Sequence, residues 1–522
     1  MLWNVPRIIL SGLAGGCGKT LVSTGIIAAL KKSGKEVFPF KKGPDYIDAA
    51  WLSSAAQKPC YNLDAFLTSE AMVRRSFERH IGISEVCRYC SEPSCSNCSH
   101  VTEFLSNKIA VIEGNRGLFD GMDENGTYST AELAKAVKTP VILVVDSTKA
   151  TRTIAAEVLG CQRMDVTVPL AGVILNRVAG KRHEDIVRSS IEKTCGVPVI
   201  GALPKFESNK FPERHLGLIT PEEYPEIQEA IKFAAQAIAS YVDRERLLKI
   251  AGSGKPLFHK KEGRHSQVHP ARADIKVGII RDRSFSFYYP ENIEALRQCG
   301  ADVVEINALA NTVLPDIDAL YIGGGFPETS AAQLAKNASF RTSVREAVED
   351  GLPVYAECGG AIFMGTSLTY LGTTYPMTGI LPVEFYFEKR PQGHGYTVLE
   401  VVSENPYFSS GCIIHGHEFH YSRAVILRPE MIRYAFKLHK GAGFNRAGDG
   451  ICYKNMLAVY SHIHAGGVPQ WAENLVRTAR EYAGTGEKDK AGRAAPDSLH
   501  SEYGRAYSGT DVEDPVFNIQ TK

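Results

Sequence analysis

A glycine-rich loop near the start of the chain has the residue types of a phosphate-binding loop. It follows an apolar run at 7–11 and precedes a helical pattern that spans Lys19–Ser33 and stops at Gly34. In such a loop, backbone N–H groups and the helix N-terminus surround phosphate oxygens, a lysine reaches the outer phosphates and a hydroxyl ligates Mg²⁺. The residues predicted to bind ATP are Gly12, Gly15, Gly16, Gly18, Lys19 and Thr20. The alternative is a tight strand-to-helix turn with a chance Gly-Lys-Thr.

Charged residues follow the next two apolar runs. Segment 40–48 reads FKKGPDYID and segment 113–121 reads EGNRGLFDG. Ligands bind at the carboxyl ends of strands in a doubly wound sheet, so both segments are predicted to share a rim with Lys19. Carboxylates beside a triphosphate repel it unless a cation intervenes, so at least one is expected to ligate Mg²⁺. The rim residues are Lys41, Asp45, Asp48, Glu113 and Asp120. For any single aspartate, a turn or helix-cap role is the alternative.

Cys358 has the sequence context of a catalytic nucleophile. It follows the apolar run of segment 353–357 and precedes a helical run that starts with Gly359 and Gly360. A sharp strand-to-helix turn exposes a nucleophile, and the helix N-terminus is expected to depress the pKa of the thiol. Such a thiolate attacks the side-chain amide of glutamine, forms a thioester and releases ammonia. The predicted oxyanion donors are Gly359 N–H and the 323–325 loop, represented by Gly324. A buried, inert cysteine is the alternative.

His462 is the predicted base for this cysteine, because it lies on a late predicted strand in the segment VYSHIH at 459–464. Class I amidotransferases usually carry His-x-Glu at this point, but His464 stands here at the acid position. The site is therefore either a Cys–His dyad or one that borrows a carboxylate from elsewhere. A metal held by His462 and His464, which share one face of a strand, is the competing interpretation.

A second histidine motif, GHEFHYS, occupies segment 416–422. The pair His417 and His420 invites a zinc interpretation, but no third ligand is evident from the sequence. A structural or substrate-facing role for His417, Glu418 and His420 is favoured.

Four cysteines form a tight cluster that is typical of a metal site. Two CxxC pairs are separated by four residues and followed by His100. Thiolates in this arrangement favour Zn²⁺ or an iron–sulfur cluster, although the gap is shorter than in common zinc ribbons. The predicted ligands are Cys87, Cys90, Cys95 and Cys98. A redox or chance cluster in an exposed loop is the alternative.

The elements that carry these residues alternate between apolar strands and helices. In the first half, apolar runs lie at 7–11, 109–113, 140–146, 170–176 and 197–203. Strands without polar alternation, separated by helices, indicate a parallel sheet that is covered on both faces. The same alternation restarts with Ile275–Ile280, a helix near Glu291–Cys299, Ala301–Asn307 and Ala319–Ile322. The predicted fold class is therefore α/β in both halves.

Composition changes divide the chain into four segments. Residues 1–245 are predicted to form the ATP-binding domain with the cysteine-rich insertion at 87–100, and residues 246–273 a polar, basic linker. Residues 274–483 are predicted to form the second α/β domain. The polar, Gly- and Ser-rich segment 484–522 is predicted to be a flexible tail.

The overall composition excludes several classes of function. The chain has 522 residues, of which 59 are Lys or Arg and 58 are Asp or Glu, so its net charge is +1. This balance of charges argues against electrostatic binding of nucleic acid or anionic lipid over the whole chain. No apolar run reaches the roughly 18 residues of a membrane span. We therefore predict no nucleic-acid partner, no membrane partner and a cytoplasmic location, where the 12 cysteines are more often core, metal or catalytic residues than disulfides.

Several motifs together resemble the cobyrinic acid a,c-diamide synthases. The resemblance covers about residues 5–480, with motifs in the same order: GPDYID at 43–48, EGxxGLFDG at 113–121, GVILNR at 172–177 and PERHLGL at 212–218. The longer spacing of the phosphate loop, with five residues between Gly12 and Gly18, resembles dethiobiotin-synthetase-type ATPases. The cysteine cluster departs from the family pattern and leaves the exact substrate open.

This resemblance implies a dethiobiotin-synthetase-like doubly wound P-loop domain followed by a class I glutaminase-like α/β domain. It implies amidation of tetrapyrrole carboxylates with ATP and L-glutamine as further substrates, and it leaves a homodimer open. It maps the catalytic histidine onto His462 and places Asn176 near the nucleotide base. It implies that Asp45, Asp48, Glu113 and Asp120 serve Mg²⁺ or the substrate carboxylate. Taken together, the residues predicted to contact substrate or phosphate are Lys41, Asp45, Tyr46, Asp48 and Asp120, and those predicted to ligate Mg²⁺ are Thr20, Asp48 and Glu113.

Three functional hypotheses follow. The leading one is an amidoligase that forms an acyl phosphate in one domain and supplies ammonia from Cys358 and His462 in the other, with cobyrinate, sirohaem or nickel-sirohydrochlorin as substrate. The second is a dethiobiotin-type ligase, which would not need Cys358. The third is a nucleotide-switch ATPase whose cysteine cluster docks a partner.

Overall fold

The computed structural model describes residues 2–83, 105, 107–206, 211, 213–214, 217–258 and 274–490. The cysteine cluster, three residues of the 212–218 motif, most of the predicted linker and the tail beyond 490 lie outside these residues. The predicted ligands Cys87, Cys90, Cys95 and Cys98 therefore remain a sequence prediction.

The N-terminal half is built on a seven-stranded sheet in the order β4-β3-β5-β2-β6-β7-β8, in which every neighbouring pair is parallel. Two short antiparallel pairs, β1 with β11 and β9 with β10, lie outside it. The strands are β1 Leu2–Trp3, β2 Arg7–Gly12, β3 Glu36–Lys42, β4 Tyr61–Leu63, β5 Lys108–Gly117, β6 Val141–Asp146, β7 Leu170–Val178, β8 Val199–Pro204, β9 Glu213–Arg214, β10 Gly217–Leu218 and β11 Leu257–Phe258. The predicted parallel sheet is confirmed.

Helices cover both faces of this sheet, which is why its central strands are continuously apolar. Ile112 in β5 and Leu143 in β6 are fully buried in one core, and Ile8 and Val144 are fully buried in the core on the other face. The helices of this half are α1 Lys19–Lys32, α2 Ile47–Ala56, α3 Glu70–His80, α4 Thr130–Ala136, α5 Thr153–Met164, α6 Lys181–Cys195, α7 Ile227–Tyr241 and α8 Arg244–Gly252, with a 3₁₀ turn at Pro221–Glu223.

The C-terminal half contains a ten-stranded sheet in the order β13-β12-β14-β15-β24-β23-β22-β19-β20-β25 and a four-stranded sheet in the order β17-β16-β18-β21. The first five strands of the large sheet are parallel and the remainder antiparallel. The strands are β12 Ile275–Ile280, β13 Ala301–Ile306, β14 Ala319–Ile322, β15 Val354–Glu357, β16 Ser367–Tyr370, β17 Thr373–Pro376, β18 Val383–Phe387, β19 Gly393–Val401, β20 Ile413–His420, β21 Ser422–Ile426, β22 Tyr434–Lys440, β23 Gly448–Tyr453, β24 Met456–Val459 and β25 His462–Ile463.

Five helices pack on these sheets. They are α9 Pro290–Gln298, α10 Ala331–Lys336, α11 Ala338–Glu349, α12 Gly359–Met364 and α13 Gln470–Lys490, with 3₁₀ turns at Pro327–Ser330 and Pro429–Met431. Helix α13 continues beyond 483, where the sequence predicted the start of a flexible tail. The polar composition of that segment does not indicate where the helix ends, because lysine and glutamate are strong helix formers and can extend an existing helix.

The predicted linker at 246–273 also starts later than expected. Residues from Arg244 to Gly252 form α8, and the side chain of Asp243 caps it by accepting a hydrogen bond from the backbone N–H of Arg246. Leu247 and Ala251 are buried in the core of the first half. Their spacing of four residues places them on one helix face. The charged residues around them make this helical pattern difficult to recognise in the sequence.

Polar contacts join the two halves around a shared boundary. Tyr61 Oη donates to Glu294 Oε1 over 2.8 Å, and Tyr396 Oη donates to Asp64 Oδ2 over 2.7 Å. Tyr289 Oη donates to the Pro44 carbonyl at 3.2 Å. The loops at the carboxyl ends of β3 and β4 therefore lie against the C-terminal half.

In the part of the chain that the structure describes, no helix is both long enough and apolar enough to span a membrane.

Arg7 ties the N-terminal segment to distant parts of the same half. It is fully buried, and its guanidinium donates to the carbonyls of Val5 at 2.9 Å, Val137 at 3.1 Å and Lys138 at 3.1 Å, and also to that of Lys255. Burial lowers the pKa of Arg7 to about 10, so it remains charged at neutral pH. Charge-assisted hydrogen bonds to four carbonyls compensate for the removal of this charge from water.

We predict that Arg7→Met destabilises the N-terminal half by about 2–4 kcal/mol, because buried carbonyls lose their donors. Urea unfolding followed by tryptophan fluorescence measures this, with the exposed Arg163→Met as the matched control. Identical unfolding midpoints for the two variants would show that the Arg7 contacts contribute nothing.

Candidate active site

The phosphate loop lies between β2 and α1 and is supported by the end of β7. The Asn176 side-chain amide donates to the Cys17 carbonyl at 2.9 Å. Gly18 has φ 89°, and a Cβ there would lie 2.2 Å from Asn176 Nδ2, so this position requires glycine. Lys19 Nζ donates to the Ala14 carbonyl at 3.0 Å, which keeps the ammonium inside the loop. Asn176 thus contacts the loop itself, and its predicted place near the nucleotide base stays a prediction.

The remaining loop glycines have different roles. A Cβ on Gly12 would lie 2.4 Å from Cys17 Sγ, whereas Gly15 and Gly16 face open space. The open side of the loop is where phosphate oxygens can approach the backbone N–H groups. Arg177 donates to the Gly16 carbonyl at 3.1 Å and pairs with Asp146 at 2.5 Å. No local sequence pattern indicates this Arg177–Asp146 ion pair, although Arg177 belongs to the GVILNR motif.

Lys41 joins the predicted acidic residues into one buried cluster. Its Nζ lies 2.7 Å from Asp48 Oδ2 and 2.8 Å from Glu113 Oε1, and it also donates to the Gly114 carbonyl at 3.2 Å. Thr20 Oγ1 donates to the same Glu113 oxygen at 3.2 Å, which connects the cluster to the phosphate loop. A lysine this deeply buried stays charged only when carboxylates surround it.

The carboxylates of this cluster have displaced pKa values. Burial raises the pKa of Asp45 to about 7, and the nearby charge of Asp48 adds to the effect. Burial also raises the pKa of Glu113. Burial opposes ionisation of Asp48 as well, but the Lys41 ammonium holds the pKa of that carboxyl below its ordinary value. One ammonium among three carboxylates leaves an excess of negative charge that favours a further cation.

Glu113 has the free ligand atom that a cation would need. Its Oε2 is buried and has no hydrogen-bond partner among the described residues. Mg²⁺ is usually held by one or two carboxylates together with substrate phosphates rather than by a complete protein cage. This fits the finding that the described part of the chain contains no group of three or more His, Cys, Asp or Glu side chains arranged to hold a metal.

Asp120 lies between the phosphate loop and a cavity of about 660 Å³. Its Oδ2 accepts a hydrogen bond from the Gly117 backbone N–H at 2.8 Å. A Cβ on Gly117 would lie 2.6 Å from the Leu13 carbonyl, so this turn is pressed against the start of the loop. Asp120 and Asp45 both line the cavity.

Cys358 occupies a sharp turn between β15 and α12. Its backbone angles are φ 47° and ψ −98°, a conformation that is unusual for a residue with a side chain. Its N–H donates to the Val459 carbonyl at 2.7 Å, and a Cβ on Gly360 would lie 2.5 Å from the Ile322 carbonyl. The predicted sharp strand-to-helix turn is present, and the role of Cys358 as a nucleophile stays a prediction.

The thiol pKa differs from the expectation. Burial raises the pKa of Cys358 well above its ordinary value, and the charges of Glu328 and Glu357 add to this rise. A hydrogen bond from the Gly359 N–H at the start of α12 lowers the thiol pKa, as predicted, but by less than burial raises it. This direction is opposite to the expected depression of the pKa, so the thiol needs a base to lose its proton.

Glu357 supplies the carboxylate beside His462 that the sequence left open. Its Oε2 lies 3.2 Å from His462 Nδ1, and both side chains are buried. The same carboxylate accepts hydrogen bonds from Tyr321 Oη at 3.2 Å and from the Ile463 N–H at 3.4 Å. His464 Nε2 instead lies 3.5 Å from Glu291 Oε1, so the two histidines face different carboxylates. A Glu–His contact of this kind holds the ring with its other nitrogen free to act as a base.

The predicted oxyanion residues lie next to each other. A Cβ on Gly324 would lie 2.4 Å from His462 Cε1, and one on Gly359 would lie 3.1 Å from the Gly325 nitrogen. Close approach therefore disfavours a side chain at Gly324 and leaves little room for one at Gly359. Their role as oxyanion donors stays a prediction.

Tyr46 brings the nucleotide-binding half into contact with the His462 site. Its ring stacks on Phe287 with a centroid separation of 5.1 Å and an interplanar angle of 2°, and it packs on Tyr289 at 4.6 Å. The same ring meets the edge of His462 at 5.4 Å and lies 5.6 Å from His417. The sequence resemblance assigned Tyr46 to substrate or phosphate, and it does line the cavity. The contact with the predicted catalytic base was not foreseen.

The second histidine motif is held by backbone contacts. Glu418 accepts hydrogen bonds from the Ala442 N–H at 2.5 Å and the Gly443 N–H at 2.9 Å, and His420 Nδ1 lies 2.9 Å from the Ser422 carbonyl. His417 stacks on His462 at 5.0 Å, and burial together with the charge of His462 lowers its pKa well below the ordinary value. These contacts agree with a structural or cavity-facing role for the motif.

Some residues of each predicted site therefore line one cavity. Asp45 and Asp120 lie on its nucleotide side, and His417 and His462 lie on the opposite side. Tyr46 stands between them.

Comparisons with known proteins agree with this two-part arrangement. Residues 8–219 match the model of the CobQ/CobB/MinD/ParA nucleotide binding domain, and residues 276–469 match that of the CobB/CobQ-like glutamine amidotransferase domain. The cobyrinate a,c-diamide synthase of Magnetococcus marinus is 37% identical over 490 residues, which cover 92% of this chain and 98% of the relative. That of Methanothermobacter thermautotrophicus is 36% identical over 484 residues, covering 91% and 100%.

We predict that Glu357→Gln lowers kcat for glutamine hydrolysis by about 10²–10⁴-fold with little change in KM, because the amide no longer stabilises a protonated His462 in the correct orientation. Steady-state release of glutamate measures this.

Glu400→Gln is the matched control, since Glu400 contacts the exposed His439 at 2.8 Å outside the cavity. If both variants hydrolyse glutamine at the wild-type rate, Glu357 does not assist His462.

Proposed function

The chain belongs to the cobyrinate a,c-diamide synthase family, and we propose that it converts the a and c acetate carboxylates of cobyrinate into amides, using ATP and L-glutamine. The observation that carries this proposal is the single cavity with the phosphate-side carboxylates on one wall and His462 on the other. Amidation by glutamine needs two chemistries, activation of a carboxylate and release of ammonia, and these two walls serve one each.

The first step takes place at the phosphate loop. A peripheral carboxylate oxygen of the tetrapyrrole attacks the γ-phosphorus of ATP, the bond to the bridging oxygen breaks, and ADP leaves. The product is an acyl phosphate. The backbone N–H groups at Gly15 and Gly16 and the Lys19 ammonium stabilise charge on the transferring phosphoryl group.

Mg²⁺ is proposed for the same site, held by Thr20, Asp48 and Glu113. The unpartnered Oε2 of Glu113 and the excess negative charge of the Lys41 cluster support this assignment. When bound, the ion neutralises phosphate charge and orients the β- and γ-phosphates. Lys41 already holds both Asp48 and Glu113, so it fixes their positions before nucleotide binds.

The second chemistry takes place at Cys358. His462 removes the thiol proton, the thiolate attacks the glutamine amide carbon, and the proton passes to the leaving nitrogen as ammonia departs. Water then hydrolyses the thioester to glutamate. Because burial raises the pKa of Cys358, this proton transfer depends on His462, and the neighbouring Glu357 stabilises the charge that His462 acquires.

Ammonia then attacks the carbonyl carbon of the acyl phosphate. The carbon–oxygen bond to phosphate breaks, inorganic phosphate leaves and the nitrogen loses a proton to give the amide. The wall residues His462, Tyr46 and Asp45 line the cavity between the two sites, so they outline the route that ammonia takes.

The alternatives explain less of the chain. A dethiobiotin-type ligase or a nucleotide-switch ATPase has no use for an amidotransferase domain at 276–469. Sirohaem and nickel-sirohydrochlorin are not favoured, because the relatives that match nearly the whole chain are named for cobyrinate. The domain boundaries, a homodimer, and Zn²⁺ or an iron–sulfur cluster on the four cysteines stay predictions.

We predict that Cys358→Ala forms no amide from glutamine but retains amide formation from ammonium chloride at high pH, because only the supply of ammonia is lost. Mass spectrometry of cobyrinate incubated with ATP and either nitrogen donor measures this, since each amidation lowers the mass by about one unit.

Cys299→Ala, at a half-buried position outside the cavity in the same half, is the control. A wild-type protein that amidates no tetrapyrrole with either donor, or whose ATP turnover ignores glutamine, would refute the proposed function.

A further inference from the structure

Four cationic side chains line the cavity without taking part in either chemistry. Lys42 at the end of β3 and Arg116 in β5 lie on the nucleotide side, while Lys440 at the end of β22 and Arg446 in the following turn lie on the amidotransferase side. Within the described residues, none of these four side chains makes a hydrogen bond or an ion pair. They are therefore available to an anion that enters the cavity.

Lys42 is the most unusual of the four, because its side chain is only 7% exposed. Burial lowers its pKa, and the charges of Lys41 and Arg116 lower it further against the opposing charge of Asp64. The Asp64 carboxylate is already occupied by the Phe66 and Leu67 N–H groups and by Tyr396 Oη. A buried ammonium without its own counter-ion is costly, and an anionic ligand would relieve that cost.

The carboxylates on the cavity wall do not neutralise these cations. Asp45 accepts a hydrogen bond from the Asp48 N–H at 3.0 Å, and Asp120 accepts one from the Gly117 N–H at 2.8 Å. Glu418 accepts hydrogen bonds from two backbone N–H groups of the turn after β22. These carboxylates thus contact backbone N–H groups, and none of them lies within ion-pair distance of the four cations.

The backbone conformation of two of these cationic residues also indicates a ligand site. Arg116 has φ 49° and Arg446 has φ 65°, and the left-handed region is unfavourable for residues with a side chain. Strain of this kind persists where the surrounding structure imposes it, often at ligand sites. Here it occurs on both sides of one cavity.

The rest of the wall suits a large, flat, partly apolar ligand. Aromatic rings contributed by both halves face the cavity, and its volume of about 660 Å³ is in the usual range for ligand sites. The rings are Tyr46, Tyr128, Tyr396 and Phe419. A macrocycle with carboxylates around its edge presents apolar faces to such rings and anions to the surrounding cations.

We propose that Lys42, Arg116, Lys440 and Arg446 bind the peripheral carboxylates of the tetrapyrrole that are not being phosphorylated, and so determine which carboxylate reaches the phosphate loop. This inference rests on the proposed function. Each cation–carboxylate contact holds the macrocycle in one orientation relative to Asp45 and Asp120. A tetrapyrrole whose other carboxylates are already amides loses these contacts and binds more weakly.

Equilibrium dialysis with cobyrinate, followed by its visible absorbance and without ATP or glutamine, tests the proposal. Lys42→Met and Arg446→Met should each raise the Kd for cobyrinate about tenfold or more, as expected for loss of a hydrogen bond to a charged group. Their Kd should also depend less on salt than that of the wild type, because one ion pair is missing. Lys42→Arg should recover most of the affinity, and the exposed Lys249→Met should bind as the wild type does.

Arg446 is exposed, so its variant keeps the test valid if Lys42→Met fails to fold, which thermal unfolding would reveal. If the wild type forms the diamide but both Met variants bind cobyrinate with the wild-type Kd and salt dependence, the carboxylate-binding role is wrong and the proposed function stands. If the wild type neither binds nor amidates cobyrinate, both fail.

Discussion

Ammonia must reach the acyl phosphate before water hydrolyses that intermediate and before the ammonia is protonated, because ammonium is not a nucleophile. This constraint explains how the two halves meet. The contact that satisfies it is the packing of Tyr46 against Phe287, Tyr289 and His462. Tyr46 lies between Asp45 and Asp48, so the segment that carries the acidic cluster also touches the base of the amidotransferase site. The cavity beside Tyr46 therefore lies between the two proposed chemistries.

Both predicted sites lie at the carboxyl ends of parallel strands. In each half, loops at the carboxyl ends of parallel strands carry the reactive residues: the phosphate loop after β2 and the Lys41 cluster at β3 and β5, and the Cys358 turn after β15. Hydrogen bonds between the halves, such as that from Tyr396 in β19 to Asp64 after β4, hold the two predicted sites near each other. The cations around the resulting cavity then distinguish a polycarboxylate from other flat ligands.

Residues whose roles depend on local sequence were predictable, and those that depend on distant contacts were not. The phosphate loop, the parallel strands and the Cys358 turn have signatures within a few residues. Glu357 meets His462 only because β15 pairs with β24 in the register that places Glu357 beside Val459, and no local pattern reveals that register. The Tyr46 contact likewise depends on how two halves dock, and α8 was hidden because charged residues surround its few buried positions.

The central claim is that ammonia from glutamine reaches the acyl phosphate through this cavity rather than through solution. Glutamine labelled with ¹⁵N in the side-chain amide, supplied with cobyrinate, ATP and an excess of unlabelled ammonium, tests it most directly. We expect the product amides to carry mainly ¹⁵N in the wild type and to become diluted with unlabelled nitrogen in Tyr46→Ala. A wild-type product whose label simply matches that of the bulk ammonium pool would contradict the account.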